Sequence, residues 1–270
     1  MINHLTLRSG NPTLNAKTFS GFDLATGSTM TIMGTVHKTG LALLLLMTTA
    51  LFTWNLPSGD PKTSGLMILG MIGGFIVALI TAFKPHLAQY TVPIYSLLQG
   101  LALGGISKFF ETMYPGIVTQ AVMLTFGTLA ALLLAYRSGL IKATENFKLG
   151  IVAATGGIAF VYLISWILSW FSINVPLIHS NSNMGILFSI GVVVIAALNL
   201  VLDFDFIEEG SEKGAPKYME WYGAFGLMVT LIWLYLEILR LLAKLSSRSC
   251  LLYTSPSPRD LSTSRMPSSA

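Results

Sequence analysis

The 270-residue chain is 53% hydrophobic and only 10% charged, with a net charge of +4, whereas soluble domains are roughly 25% charged. Such a composition excludes a water-wetted globular surface. Its basic residues are scattered in short segments between apolar runs, which excludes a polynucleotide-binding face and reads as membrane topology. At about 100 to 200 residues per domain the length would allow two soluble domains, but the close spacing of the apolar runs makes them one helical bundle.

Residues 1–38 are polar and lack the apolar stretch of a secretory signal, so the first hydrophobic run is read as a retained span. Seven runs, at 39–57, 65–83, 90–109, 117–136, 148–171, 184–203 and 221–243, are each long enough for a hydrocarbon core of about 30 Å, which takes roughly 20 helical residues. They lack the alternation of barrel strands. The prediction is an all-α integral membrane protein, a seven-helix bundle occupying 39–248.

Within this bundle, Gly70/Gly74 of the second run and Gly100/Gly104 of the third are GxxxG pairs, the spacing that lets helix backbones approach closely in lipid. Gly156/Gly157 and Gly223/Gly226 are further expected contact points. Lys84 ends the second run and is expected to reach the headgroups, or else to latch onto acids of the sixth. Pro93 is expected to start or kink the third helix. Gln99, polar at membrane depth, is expected to hydrogen-bond a neighbouring helix, and Lys108 with Glu111 to form an interfacial ion pair.

Asp203 and Asp205 close the sixth run in NLVLDFDFIEEG, where negative charge opposes the helix dipole. Glu237 lies well inside the seventh, where a carboxylate costs a few kcal/mol. Arg240, three residues on, shares its helix face and supplies the bland alternative of a local ion pair. If Asp203 meets Glu237 across the interface of the last two helices, repulsion raises at least one of their pKa values and the pair shares a proton.

After Arg248 the hydrophobic periodicity stops. Residues 249–270, SCLLYTSPSPRDLSTSRMPSSA, resemble a translated sequencing adaptor, a disordered natural tail being the alternative, and are set apart from the fold. Arg8, Lys17, Lys38, Lys84, Arg137, Lys142, Lys148, Lys213 and Lys217 fall on the side of the N-terminus, and Lys62, Lys108, Arg240, Lys244 and Arg248 on the other. This bias predicts a cytoplasmic N-terminus, and the cluster at the end of the seventh run leaves open whether that run crosses fully.

Several chemistries find no support. The sole cysteine, Cys250, builds no disulfide framework or cysteine metal site. His4, His37, His86 and His179 lie in separate loops without metal-ligand spacing. There is no GxSxG elbow, no glycine-rich phosphate loop and no lysine in the middle of the last run to carry retinal. Neither a cofactor nor enzymatic activity is expected, and tight calcium binding needs about six to eight oxygens, so any cation contact at Asp203 or Glu237 would be transient.

The segments RSGNPTLN, PIYSLLQGLALGGIS, ATGGIAFVYLIS, AALNLVLDFDFIEEG and KYMEWYGAFGLMVTLIWLYLEILRLLAKL resemble bacterial members of the Bax inhibitor/YccA-like family, the transmembrane Bax-inhibitor-motif proteins. The resemblance implies a seven-helix bundle with the last helix central, wrapped by the other six, and a pH-sensitive calcium leak whose sensor is a carboxylate pair. It places the pair at Asp203, with Asp205 as the second register, and at Glu237; the basic latch falls on Lys84. Many relatives carry Glu where this chain has Gln99, which cannot titrate. The expected function is a pH-gated cation leak in a bacterial inner membrane, acting on protons and cations. The alternatives are a non-conducting scaffold that binds other membrane proteins, and a proton-coupled transporter of a small solute.

Overall fold

A computed structural model describes residues 29–57, 61–171 and 182–254, with side chains through Ser247. Arg8, Lys17, His4 and His179, and the tail from 255 on, lie outside the described residues. Among the described residues seven long helices follow one another: α1 (Ile32–Trp54), α2 (Pro61–Phe83), α3 (Ala88–Met113), α4 (Ile117–Arg137), α5 (Glu145–Trp170), α6 (Asn183–Glu212) and α7 (Met219–Thr254). A 3-10 turn, Pro85–Leu87, joins α2 to α3. Six of the seven are long and apolar enough to cross a membrane. The seventh, α3, is less apolar, and it is the helix most enclosed by small-residue contacts, lying between α1 and α2.

Those contacts fall where the spacing predicts. A Cβ on Gly100 would overlap the Leu46 carbonyl and the Thr49 hydroxyl of α1, and one on Gly104 would overlap those of Ala50 and Thr53. On the other face of α3, a Cβ on Gly70 of α2 would lie 2.7 Å from the Ala102 amide nitrogen. Apolar burial gives little drive between helices in lipid, so close packing of this kind holds them. Gly223 of α7 likewise faces Ile207 and Thr35, whereas Gly156 and Gly157 of α5 face open space and mark no contact.

The last helix is the central one. It packs on α1, α3, α4 and α6 and meets α5 through Tyr162, while α2 rests on α3, so it is not wrapped by all six. Tyr222, Phe225, Met228, Leu234 and Leu239 of α7 are fully enclosed. At about 1.5 Å per residue, the 36 residues of α7 exceed the thickness of a hydrocarbon core, and its backbone stays helical past Arg248 through Thr254. The polar segment is also shorter than expected: α1 begins at Ile32, capped by the Thr31 hydroxyl, which accepts from the Gly34 amide at 3.0 Å.

The largest correction concerns α6. It does not end at Asp203 but runs through DFDFIEEGSE to Glu212, closing at Gly214, whose φ of 66° suits glycine. Asp203 and Asp205 are therefore interior to the helix, and the dipole of its C-terminus does not act on them. Acids alternating with Phe204, Phe206 and Ile207 read as a loop by composition, yet these apolar residues are buried and carry the helix onward. The turn between α6 and α7 is tied to the segment before α1: Met30 donates its amide to the Ala215 carbonyl at 2.7 Å, beside a bridge between Thr29 and Pro216.

Candidate functional site

Charged side chains enclosed within the bundle collect at two levels of the α6–α7 pair. The first lies toward the end where α1 begins. Glu220, 1% exposed, accepts from the Thr31 amide and hydroxyl, both at 2.9 Å, and pairs with Lys217 at 2.8 Å and with Lys38 of α1. Lys38 also lies over the Trp221 ring. One turn deeper, Lys148 of α5 pairs with Asp205 of α6, and Tyr136 of α4 donates to Glu208. Asp203 is 1% exposed within the same stretch.

The second level surrounds Glu237, 2% exposed. The Tyr162 hydroxyl of α5 donates to its carboxylate oxygens at 3.0 and 3.1 Å. Arg240 donates to the same two oxygens at 3.0 and 3.1 Å and to the Tyr162 oxygen at 2.9 Å. The three groups thus form a closed ring, with the guanidinium also 5.4 Å over the tyrosine ring. A lone carboxylate at this depth would be costly; an adjacent cation and hydroxyl offset much of that cost. Nearby, Lys244, 6% exposed, donates to the Ser189 hydroxyl at 2.8 Å and the Gly185 carbonyl at 3.1 Å.

The two levels are distinct, which corrects the expectation of a directly shared proton. Lys244 opposite Ser189, and Gly223 opposite Ile207, fix the antiparallel register of α6 and α7. Glu237 then lies level with residues 193–196 of α6, about 7 to 10 residues from Asp203, which is roughly 10 to 15 Å along the axis at 1.5 Å per residue. Between them Asn199 of α6 donates to the Thr155 hydroxyl of α5 at 2.8 Å.

Other expected residues fall apart from this axis. Lys84 is exposed at the 3-10 turn and has no ion pair with α6 among the described residues; Lys148 holds that place on Asp205. Gln99 packs its side-chain oxygen over Gly74 of α2, without a hydrogen bond among the described residues. Lys108 and Glu111 do not pair with one another. The lysine donates to the carbonyl of Trp54 at the end of α1, at 3.0 Å, and to that of Leu56 just beyond it, and the glutamate accepts from the Gly116 and Val118 amides at the start of α4. Each charge thus complements a helix dipole. Pro93 lies inside α3 rather than at its start.

Sequence reasoning missed Lys38, Lys148, Tyr162, Asn199 and Glu220. Tyr162 in IAFVYLIS and Asn199 in AALNLVL are polar atoms in otherwise apolar spans, and that signal was available. The partner of each, set by folding, was not.

No curated protein and no solved structure matches the chain. A family model described as Bax inhibitor 1 like matches residues 11–247, from within the polar N-terminal segment to the last turns of α7. A multi-pass helical membrane protein matched over that length belongs to the Bax inhibitor 1 like family.

Proposed function

We propose that the chain is a pH-sensitive cation leak pathway, calcium being the cation to test, with all seven helices crossing a bacterial inner membrane and the N-terminus cytoplasmic. The observation that carries this reading is the placement of two enclosed carboxylates, Asp203 and Glu237, 1% and 2% exposed, on the central helix pair. By helix rise Asp203 lies about 13 Å from the end of α6, and Glu237 about 27 Å from the start of α7. In this reading the two carboxylates act at successive levels of the helix pair, as separate stations rather than a fused pair. Lys38, Lys148, Lys213 and Lys217 gather at the end where α1 begins, which supports the orientation.

Protonation of Glu237 would leave Arg240 without its counter-charge and loosen Tyr162, freeing α5 from α7. Loss of charge on Asp205 would release Lys148 at the other level. Each event biases the same helix pair toward a second packing. A cation passing Glu237 meets few oxygens, because among the described residues no three His, Cys, Asp or Glu converge, and so passes rather than stays.

In proteoliposomes, calcium flux should change across the neutral pH range, and Glu237→Gln or Asp203→Asn should flatten that dependence. Flux with an unaltered pH profile in both variants would overturn the assignment. A second reading, a non-conducting scaffold, is favoured by the closed Glu237–Arg240 pair, which is balanced without any ion. Absence of flux together with a crosslinked membrane-protein partner would establish it.

A further inference from the structure

Away from the charged axis, α1 and α4 both rest on α7 and on α3 but are not packed on each other. Between them lies a cavity of about 390 Å³. That is far larger than a packing void and within the range of small-ligand sites, about 300 to 1,000 Å³. Its mouth is set by Met47 and Leu51 of α1 and by Met123 and Phe126 of α4, all exposed, and its floor by Leu231 and Tyr235 of α7, both buried.

The lining is almost wholly apolar and a poor host for water. A buried water needs two to four polar partners; Tyr235 and Ser107 share a hydrogen bond of 2.6 Å, Thr125 donates to the Ala121 carbonyl at 2.7 Å, and the other hydroxyl of the lining, Thr119, is exposed at the start of α4 rather than enclosed. An ion would find still less. The mouth opens through two helices apolar enough to span the membrane, so what lies outside it is hydrocarbon. One end of the cavity reaches Trp54, at the end of α1, and Val118, at the start of α4. Lys108 binds the Trp54 carbonyl there at 3.0 Å, and Trp is enriched at the headgroup level of a bilayer.

We infer that this cleft is a binding site for one acyl chain of a bilayer phospholipid. The lipid belongs to the leaflet on the side where α1 ends, with its headgroup level with Trp54 and its tail running inward against Leu231. The assignment stands independently of any cation pathway.

The test uses the full chain in phosphatidylethanolamine and phosphatidylglycerol vesicles doped with a phospholipid bearing a diazirine on its acyl chain, with labelled residues mapped after illumination. Leu231 and Tyr235 should be labelled despite their burial, and Leu51 and Met123 several-fold more than Ile72 and Phe75 on the outer face of α2. Val122→Trp, which fills the cleft, should abolish floor labelling and leave that of α2 unchanged. Met47→Trp, which covers the mouth from an exposed position, should do the same and serves if the first variant fails to insert. An unlabelled floor in the native chain, equal labelling of α1, α4 and α2, or floor labelling that survives filling would overturn the inference. So would a polypeptide crosslinked at Leu51 and Met123 with lipid label excluded, which would make the cleft a protein interface.

Discussion

The α1–α3 layer and the α5–α7 layer are held by opposite means. In the first, glycines bring backbones together, and the limiting quantity is volume. In the second, carboxylates, a tyrosine and lysines tie helices through side chains, and the limiting quantity is charge. The first layer should therefore respond to added atoms and the second to lost charges and to salt.

The largest effect is expected from Gly104→Val. Its Cβ would overlap the Thr53 hydroxyl and the Ala50 carbonyl of α1, and the carbonyl is backbone that cannot swing aside as a side chain could, so a loss of about 3 kcal/mol or more is expected. Thermal unfolding in detergent reads it, and the loss should not change with salt. Glu220→Gln comes next, at about 2 to 3 kcal/mol. It removes a buried charge from Lys38 and Lys217, below the roughly 3 to 5 kcal/mol of a fully buried pair, because both lysines reach solvent. Here the difference from the native chain should shrink at high salt; salt independence would show that the site is not electrostatic in origin. Tyr162→Phe removes one hydroxyl from the Glu237 ring and should cost about 1 kcal/mol, with sharper proteolysis or exchange confined to α5. Lys84→Gln, at an exposed turn, should stay within about 0.5 kcal/mol. A larger loss would give Lys84 a partner that the fold does not.

How far each layer could be read from the chain follows from the same distinction. The glycine pairs at 70/74 and 100/104 declare themselves by spacing, since four residues return to one helix face. Glu237 and Arg240 were legible for the same reason, being neighbours on one turn. Glu220 was not, because its partners Thr31 and Lys38 lie 189 and 182 residues away and nothing local marks them. The end of α6 was misread because charge density there exceeds what a lipid-exposed helix tolerates. The helix persists because Lys148 and Tyr136, from two other helices, meet Asp205 and Glu208.

The tie between Met30 and Ala215, with Lys38 beside Glu220, joins the first helix to the last hairpin. A chain emerging from a ribosome inserts α1 long before α7 exists, and Lys38 has no Glu220 to meet until nearly all the membrane domain has been made. Until then α1 and α3 can pair by their small residues, but the space that α7 fills stays open. Closure of the bundle is consequently a late and long-range event, slow by the measure of contact separation, and the Lys38–Glu220 pair reports that the last helix has arrived.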